Sequence, residues 1–101
     1  MPIRRILFFA LTLQLSFSAT ITGYVRNEDS GEPLAYANIV LLDTEIGTAS
    51  DVHGYYVLTQ IPEGFYTLKG MIIGFIPREY EIEITSENVR RDFQLKPSAL
   101  Q

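Results

Sequence analysis

The 101-residue sequence contains no cysteine, no tryptophan and a single histidine, His53. Without cysteine, a domain of this size has no disulfide bonds, so its stability must come from a β core or from a neighbouring domain. No cysteine follows the apolar N-terminal run, which excludes lipid attachment there, and cysteine-ligated metal sites are excluded as well. We expect no cofactor.

Positive charge is also scarce, with 8 Lys and Arg residues against 12 Asp and Glu residues. Arg4 and Arg5 fall in a predicted signal peptide, and its removal would leave 6 basic and 12 acidic residues, a net charge of −6. Such a chain lacks the basic surface that binds nucleic acid phosphates. The same charge argues against docking on anionic lipid.

A hydrophobic run occurs only at the N-terminus. The basic stretch "MPIRR" precedes the apolar segment Ile6–Phe17, and the small residues Ser16 and Ser18 precede Ala19. This order predicts a secretory signal peptide over residues 1–18, cleaved before Ala19. The alternative is a membrane anchor, but the run is shorter than the roughly 20 apolar residues of a spanning helix. We therefore expect no membrane insertion of the mature domain.

The rest of the chain has a globular composition, in which short apolar segments alternate with turn residues. In residues 78–84, "REYEIEI", apolar and acidic side chains alternate, which predicts a strand with one buried face. Residues 37–43, "ANIVLLD", are apolar on both faces and predict a central strand buried on both sides. About seven such segments predict an all-β fold, a seven-stranded antiparallel Greek-key β-sandwich over residues 19–96. Residues 97–101 would be a tail or the start of a linker.

Glycine, proline and aspartate mark the predicted turns. Asp51 can cap nearby backbone N–H groups, and Gly54 supplies a free φ. Residues 62–64 fit a type I turn. Such a turn would place the apolar side chains of residues 56–58 next to those of residues 66–68, where the two sets would pair across neighbouring strands. The residues predicted to shape turns are Gly31, Pro33, Asp51, Gly54, Pro62, Gly64 and Gly74.

Several short motifs follow one another in a defined order. They are G-x-V at 23–25, G-E-P-L at 31–34, A-N-I at 37–39, G-T-A-S-D-x-x-G-x-Y-x-L at 47–58, P-x-G-x-Y-x-L at 62–68 and Gly-Phe at 74–75. The ordered series resembles the carboxypeptidase regulatory-like domain, a transthyretin-like β-sandwich. The resemblance extends over about residues 21–95, nearly the whole predicted mature chain.

The resemblance implies a place for this domain in a larger system. In exported bacterial proteins the family commonly stands at the N-terminus of TonB-dependent outer-membrane receptors, directly after the signal peptide. The implied partner is the receptor plug or barrel, or a surface lipoprotein, and the implied location is the periplasm or outer membrane. No barrel strands precede the end of the sequence at Gln101, so a truncated receptor and a stand-alone secreted copy both remain open.

The sequence offers no set of catalytic or metal-binding residues. His53 lies in a turn between Asp51 and Gly54, where a lone histidine is usually exposed, so we expect no enzymatic activity. Related hydrolases of this fold use several histidines, an arginine and a C-terminal Tyr-Arg-Gly-Ser, whereas this sequence has one histidine and ends in "PSALQ". Four acidic residues could meet at one end of a sandwich around calcium, but nothing orders them as ligands: Asp29, Glu32, Asp43 and Asp51.

Three tyrosines are the candidate contact residues. Tyr24, Tyr36 and Tyr55 occupy positions that alternate with the predicted core residues. Their side chains should therefore point away from the core and lie outside the sandwich. Exposed aromatic rings can stack on a sugar ring or contact a neighbouring domain. We therefore expect a non-enzymatic interaction domain, with a stand-alone secreted carbohydrate-binding module as the alternative.

Overall fold

A computed structural model describes residues 18–99, which form two β-sheets packed face to face, so the predicted all-β sandwich is confirmed. Within this range, no helix is long and apolar enough to cross a membrane. The strands are β1 (Ser18–Asn27), β2 (Asn38–Leu41), β3 (Gly47–Ala49), β4 (Tyr55–Pro62), β5 (Gly64–Met71), β6 (Arg78–Ile84), β7 (Val89–Arg90) and β8 (Phe93–Leu95).

The first sheet is built around β1, which pairs with β4 on one side and with β7 and β8 on the other. The described residues contain eight strands rather than seven, because the extended segment of residues 89–95 is divided at Arg91 and Asp92 into β7 and β8. At the division, the N–H of Tyr24 donates to Oδ1 of Asp92 instead of to a ladder carbonyl, at 2.9 Å. Both β7 and β8 run parallel to β1, so the fully antiparallel prediction is wrong for these two pairs.

The second sheet has the strand order β3-β2-β5-β6, and all of its pairs are antiparallel. At the start of β2, Asn38 pairs with both Ala49 and Met71, the last residues of β3 and β5. The loops of residues 28–37, 50–54 and 72–77 therefore gather at one end of the sandwich, called here the loop end. The N-terminus of β1 and the β4–β5 connection lie at the opposite end.

The core lies between the two sheets and is made almost entirely of aliphatic side chains. Phe93 contributes its ring from β8, where it makes edge contacts with Tyr56 and Tyr80 at centroid distances of 6.0 and 5.2 Å. Burial of each large side chain contributes about 1.5–3 kcal/mol. The buried hydrophobic residues are Ala19, Ile21, Val25, Ala37, Ile39, Leu41, Tyr56, Leu58, Ile61, Leu68, Ile82, Ile84, Phe93 and Leu95.

The predicted pairing of residues 56–58 with 66–68 is wrong, because β4 and β5 lie in different sheets. Residues 56–58 pair with β1, where Tyr56 is opposite Gly23. Residues 66–68 pair with β6 and β2. The chain bends at Glu63 and passes from one sheet to the other. Residues 56–58 and 66–68 therefore face each other across the core instead of pairing side by side.

The strand predicted at residues 37–43 is central, as expected, but it is buried on one face only. Ile39 and Leu41 of β2 are fully buried, whereas Val40 and Leu42 lie on the outer face and are half-buried. No other layer of the described chain covers this outer face. Val40 and Leu42 are therefore screened only by neighbouring strands.

A bulge near the end of β4 keeps its apolar residues inside. Ile21 is opposite Leu58 while Ala19 is opposite Ile61, so β4 has one residue more than β1 over this stretch. Gln60 has a φ of +58°. Strict alternation from Leu58 would point Ile61 outwards, and the extra residue returns it to the core.

The predicted domain limits meet the described residues at both ends. Almost all of the predicted signal peptide lies outside the described residues, so both it and its cleavage site stay predictions. At the other end, Pro97 forms an isolated bridge with Phe75, and the N–H of Ser98 donates to the Gly74 carbonyl at 2.8 Å. The beginning of the segment at 97–101 is therefore hydrogen-bonded to the loop of residues 72–77.

Candidate interaction surfaces

The turn of residues 51–55 is organised by the side chain of Asp51. Its Oδ1 accepts hydrogen bonds from the N–H groups of His53 and Tyr55, at 2.8 and 3.0 Å. The hydrogen bond from Tyr55 is the main reason that the pKa of Asp51 is lowered. Gly54 follows with a φ of +82° and donates to the Asp51 carbonyl. Asp51 thus has a structural role at this turn.

The other predicted turn residues also lie at changes of chain direction. Gly31 and Gly74 have φ values of +79° and +93°, and the Gly31 N–H donates to the Asn27 carbonyl at 2.8 Å. Pro33 forms a bridge with Arg26. Pro62 ends β4 and Gly64 begins β5, and the Pro62 carbonyl accepts a hydrogen bond from the Tyr66 hydroxyl.

Within residues 18–99, no polar side chain is hydrogen-bonded to the ring of His53. The ring of His53 is exposed at the loop end, and only its backbone N–H takes part in the Asp51 turn. Among residues 18–99, no group of three or more His, Asp or Glu side chains is placed to hold a metal ion. Of the four acidic residues considered for calcium, Asp29 forms an ion pair with Lys96 at 3.2 Å.

Two of the predicted contact residues, Tyr24 and Tyr55, lie side by side on the outer face of the first sheet. They are opposite each other in the β1–β4 register, and their ring centroids are 5.1 Å apart with a tilt of 54°. The guanidinium groups of Arg26 and Arg90 lie over the Tyr24 ring, 5.0 and 5.7 Å from its centroid. These four residues and Asp92 form the Tyr–Arg face.

Asp92 fixes the position of Arg90 on this face. Its carboxylate accepts hydrogen bonds from Nε and Nη2 of Arg90, at 3.3 and 3.2 Å. Partial burial opposes ionisation of Asp92, but the hydrogen bonds from the Tyr24 N–H and from Arg90 lower its pKa overall. Asp92 therefore stays ionised at neutral pH and neutralises part of the arginine charge.

The third predicted contact residue, Tyr36, is on a different surface. It belongs to the loop end, where it is 66% exposed, and no described ring contact joins it to Tyr24 or Tyr55. Val52, Ile73 and Ile76 project from two other loops at the same end, and Ile73 is 98% exposed. These four side chains form the apolar end. A shallow hollow of about 310 Å³ adjoins it, lined by Asn38, Met71, Ile72 and Ile73.

The backbone of Tyr36 is held in a conformation that aromatic residues rarely adopt, with a φ of +63°. Its N–H donates to the carbonyl of the buried residue Ser50 at 2.9 Å. The Ser50 hydroxyl also hydrogen-bonds the backbone before and after Tyr36. It accepts from the Ala37 N–H and donates to the Leu34 carbonyl. This network fixes an exposed ring at a cost in backbone strain of about 1–3 kcal/mol.

A second hollow, of about 390 Å³, lies on the outer face of the second sheet, towards the end opposite to the loop end. Phe65 projects beside it and is 81% exposed. The hollow is open, and its lining combines apolar and acidic side chains: Leu42, Asp43, Thr44, Phe65, Tyr66, Thr67 and Glu81.

Several of the residues that form these surfaces were not predicted from the sequence. The exposed isoleucines Ile73 and Ile76 were signalled by the stretch "MIIGFIP", in which apolar residues surround Gly74 without a strand period. Arg26 and Arg90 carried no comparable signal. They are far apart in the sequence, and only the parallel pairing of β1 with β7 brings them to one ring.

Comparison with known proteins gives one family match and several related folds. The family model of the CarboxypepD_reg-like domain matches residues 21–101 of this chain. The search of curated proteins found no match. A chain of a type II cohesin–X-dockerin complex from Acetivibrio cellulolyticus is similar to this chain with a TM-score of 0.63 and 20% identity, over 74% of this chain and 52% of that one.

Two further solved structures share the fold at low identity. A protein from Bacteroides uniformis, described as carbohydrate-binding, is similar with a TM-score of 0.61 and 19% identity, over 80% of this chain and 42% of that one. The 5-hydroxyisourate hydrolase of Klebsiella pneumoniae has a TM-score of 0.62 and 14% identity, over 80% and 92% of the two chains. This chain therefore spans about half the length, or less, of the cohesin–dockerin and Bacteroides chains.

Proposed function

Because the chain belongs to the CarboxypepD_reg-like domain family, we propose that it is a non-enzymatic interaction domain at the N-terminus of a TonB-dependent outer-membrane receptor. The basic start, apolar run and small residues of the predicted signal peptide, residues 1–18, support export to the periplasm. In this proposal the sandwich is a rigid scaffold that presents loops to the receptor plug or barrel, or to a surface lipoprotein.

The apolar end is the observation that carries this proposal. Tyr36, Val52, Ile73 and Ile76 come from three loops, and solvated apolar clusters of this kind mark protein contacts. Covering each such side chain on docking would contribute about 1.5–3 kcal/mol. The last described residues run beside the same surface, since the N–H of Ile76 donates to the Lys96 carbonyl at 2.8 Å. A polypeptide that continued past residue 99 would therefore meet the apolar end first.

In-cell photo-crosslinking tests this proposal directly. A photoreactive amino acid would replace Ile73, and a control would carry it at Glu83, an exposed residue of β6 towards the opposite end. We expect the Ile73 probe to form an adduct that mass spectrometry identifies as a receptor plug or barrel, or a surface lipoprotein. The mature N-terminus should be Ala19. Cytoplasmic, uncleaved protein, or equal adducts from both positions, would contradict the proposal.

Tyr36→Gly provides a matched functional variant. Glycine adopts a φ of +63° without strain, so this change should leave the fold intact and increase the free energy of unfolding by up to about 1 kcal/mol. The same change removes the exposed ring and should weaken the crosslink at Ile73. A lower stability together with an unchanged crosslink would show that the strained Tyr36 serves the fold and not a contact.

A stand-alone carbohydrate-binding module remains the second candidate, and Tyr36 favours it because the exposed ring could stack on a sugar. Tyr24 is less suitable, since two guanidinium groups already lie over its ring. Titration of the chain and of Tyr36→Ala with polysaccharides distinguishes the candidates. Binding that is lost in Tyr36→Ala supports the module, whereas absence of binding at millimolar sugar removes it.

A further inference from the structure

The Tyr–Arg face is a local positive region on an acidic molecule. Residues 18–99 contain 6 basic and 12 acidic side chains, a net charge of −6. On the Tyr–Arg face, by contrast, the two arginines outnumber the single aspartate. Exposed charges are screened over about 8–10 Å at physiological ionic strength, so a partner close to the face senses its local charge more than the net charge of the molecule.

Arg26 holds unused hydrogen-bonding capacity on this face. Its guanidinium lies over the Tyr24 ring, and its charge helps to lower the pKa of Asp92, but among residues 18–99 it forms no ion pair. A contact over the face of an aromatic ring engages the charge of the guanidinium, and no hydrogen bond described for residues 18–99 uses the Arg26 N–H donors. Arg90 keeps Nη1 free while Asp92 holds its other nitrogens. The two arginines are therefore positioned before any ligand binds.

The surroundings of the arginines resemble the centre of a protein interface. Tyr24 and Tyr55 are half-buried, and the neighbouring Val57 of β4 is 37% exposed. Tyrosine and arginine are the residues enriched in protein hot spots, whereas a sugar ring would need an uncovered aromatic face. The occupied faces of Tyr24 thus favour a peptide over a glycan.

We propose that the Tyr–Arg face binds a carboxylate-rich segment of a protein partner. An Asp or Glu side chain of that segment would accept two hydrogen bonds from the free edge of the Arg26 guanidinium, in the bidentate geometry that arginine offers to carboxylates. A second carboxylate would reach Nη1 of Arg90. The proposal does not depend on the receptor context, because this surface lies on the outer face of the first sheet and shares no residue with the apolar end.

The test uses a fluorescently labelled poly-glutamate peptide as the probe and the full chain as the protein. Arg26→Gln should weaken peptide binding about tenfold, the loss expected when one strong contact is removed. Arg26→Lys keeps the charge but loses the planar fork, and binding should fall to an intermediate level. Lys69→Gln is the matched control, since it removes one positive charge on the second sheet and should change binding less than twofold.

Each outcome bears on the proposal. Because Arg26 is exposed, both Arg26 variants should keep the thermal midpoint of the parent chain, and binding should weaken as salt is added. Equal losses in Arg26→Gln and Lys69→Gln would overturn the proposal, as would binding of polygalacturonate in place of the peptide. Sedimentation of the chain alone should show a monomer. Self-association that Arg26→Gln abolishes would show instead that a second copy occupies the face.

Discussion

Two glycines with nearly the same backbone conformation have very different surroundings. Gly54 and Gly31 have φ values of +82° and +79°. A Cβ atom on Gly54 would come within 2.6 Å of the Val25 carbonyl oxygen, whereas a Cβ on Gly31 would meet nothing within 4 Å. The pair therefore separates the cost of a positive φ from the cost of a steric clash.

Alanine substitution at these two glycines should give unequal losses of stability. Gly31→Ala should lower the free energy of unfolding by about 1 kcal/mol through backbone strain alone. Gly54→Ala adds a backbone clash that also disturbs the hydrogen bond from the Val25 N–H to the Gly54 carbonyl, so we expect a loss of about 2–4 kcal/mol. Urea denaturation measures both. Equal losses would mean that the 51–55 turn relaxes freely.

Single residues were predictable where their chemistry is tied to one backbone conformation. Asp51 and Gly54 have side-chain and φ requirements that the sequence displays. Tyr36 and Gln60 also have positive φ, but neither residue type signals it. Their conformations come from contacts distant in sequence: the Ser50 network for Tyr36, and the register between β1 and β4 for Gln60.

At the level of elements, a tyrosine hydroxyl links β4 to the residues that separate β7 from β8. Tyr56 on β4 donates its hydroxyl hydrogen to the Arg91 carbonyl, at the division between β7 and β8. Gly23 of β1 lies between them, and a Cβ there would overlap the Arg91 carbonyl. Because Gly23 has no side chain, the Arg91 carbonyl can approach β1 closely. Its hydrogen bond with Tyr56 then holds this end of the first sheet in place.

Removal of this hydroxyl should weaken the anchor. Tyr56→Phe keeps the ring packing but leaves the Arg91 carbonyl without this partner, so we expect a loss of about 1–2 kcal/mol in the free energy of unfolding. Thermal denaturation at pH 7 measures the loss. An unchanged midpoint would indicate that solvent replaces the hydroxyl at no cost.

The same hydroxyl predicts a dependence on alkaline pH. Burial raises the pKa of Tyr56 above its ordinary value near 10, so the folded chain keeps a proton that the unfolded chain releases. The stability of the parent chain should therefore be constant below about pH 10 in this respect and should fall above it. The fall should be smaller in Tyr56→Phe. Identical pH profiles would contradict a buried, protonated Tyr56.

The sequence predicted where most strands lie better than which strands pair. Alternation in residues 78–84 identified β6 and its buried residues Ile82 and Ile84. The pairings of β4 with β1 and of β7 and β8 with β1 are non-local, and no turn type encodes them. Gly70 is a related case, since it leaves space for the Phe93 ring that arrives from the other sheet. The Tyr–Arg face depends on such a pairing and could not be predicted.

At the scale of the whole molecule, this topology depends on contacts between segments that are distant in sequence. The hydrogen bond from Tyr24 to Asp92 joins residues 68 positions apart. Sandwiches dominated by such contacts fold on a timescale of roughly milliseconds to seconds. Stopped-flow refolding monitored by tyrosine fluorescence should give a main phase in this range. A phase faster than a millisecond would indicate that local segments determine the rate.

The parallel alignment of β1 and β8 also determines how the domain would respond to mechanical force. Ser18 begins β1 at one end of the sandwich, and β8 leads to Ser98 at the loop end. A pull between these two points acts along both strands in opposite directions. Their hydrogen bonds would be loaded together in shear and would not open one after another like a zipper. Placed within a tether, the sandwich would transmit tension along its length and resist extension.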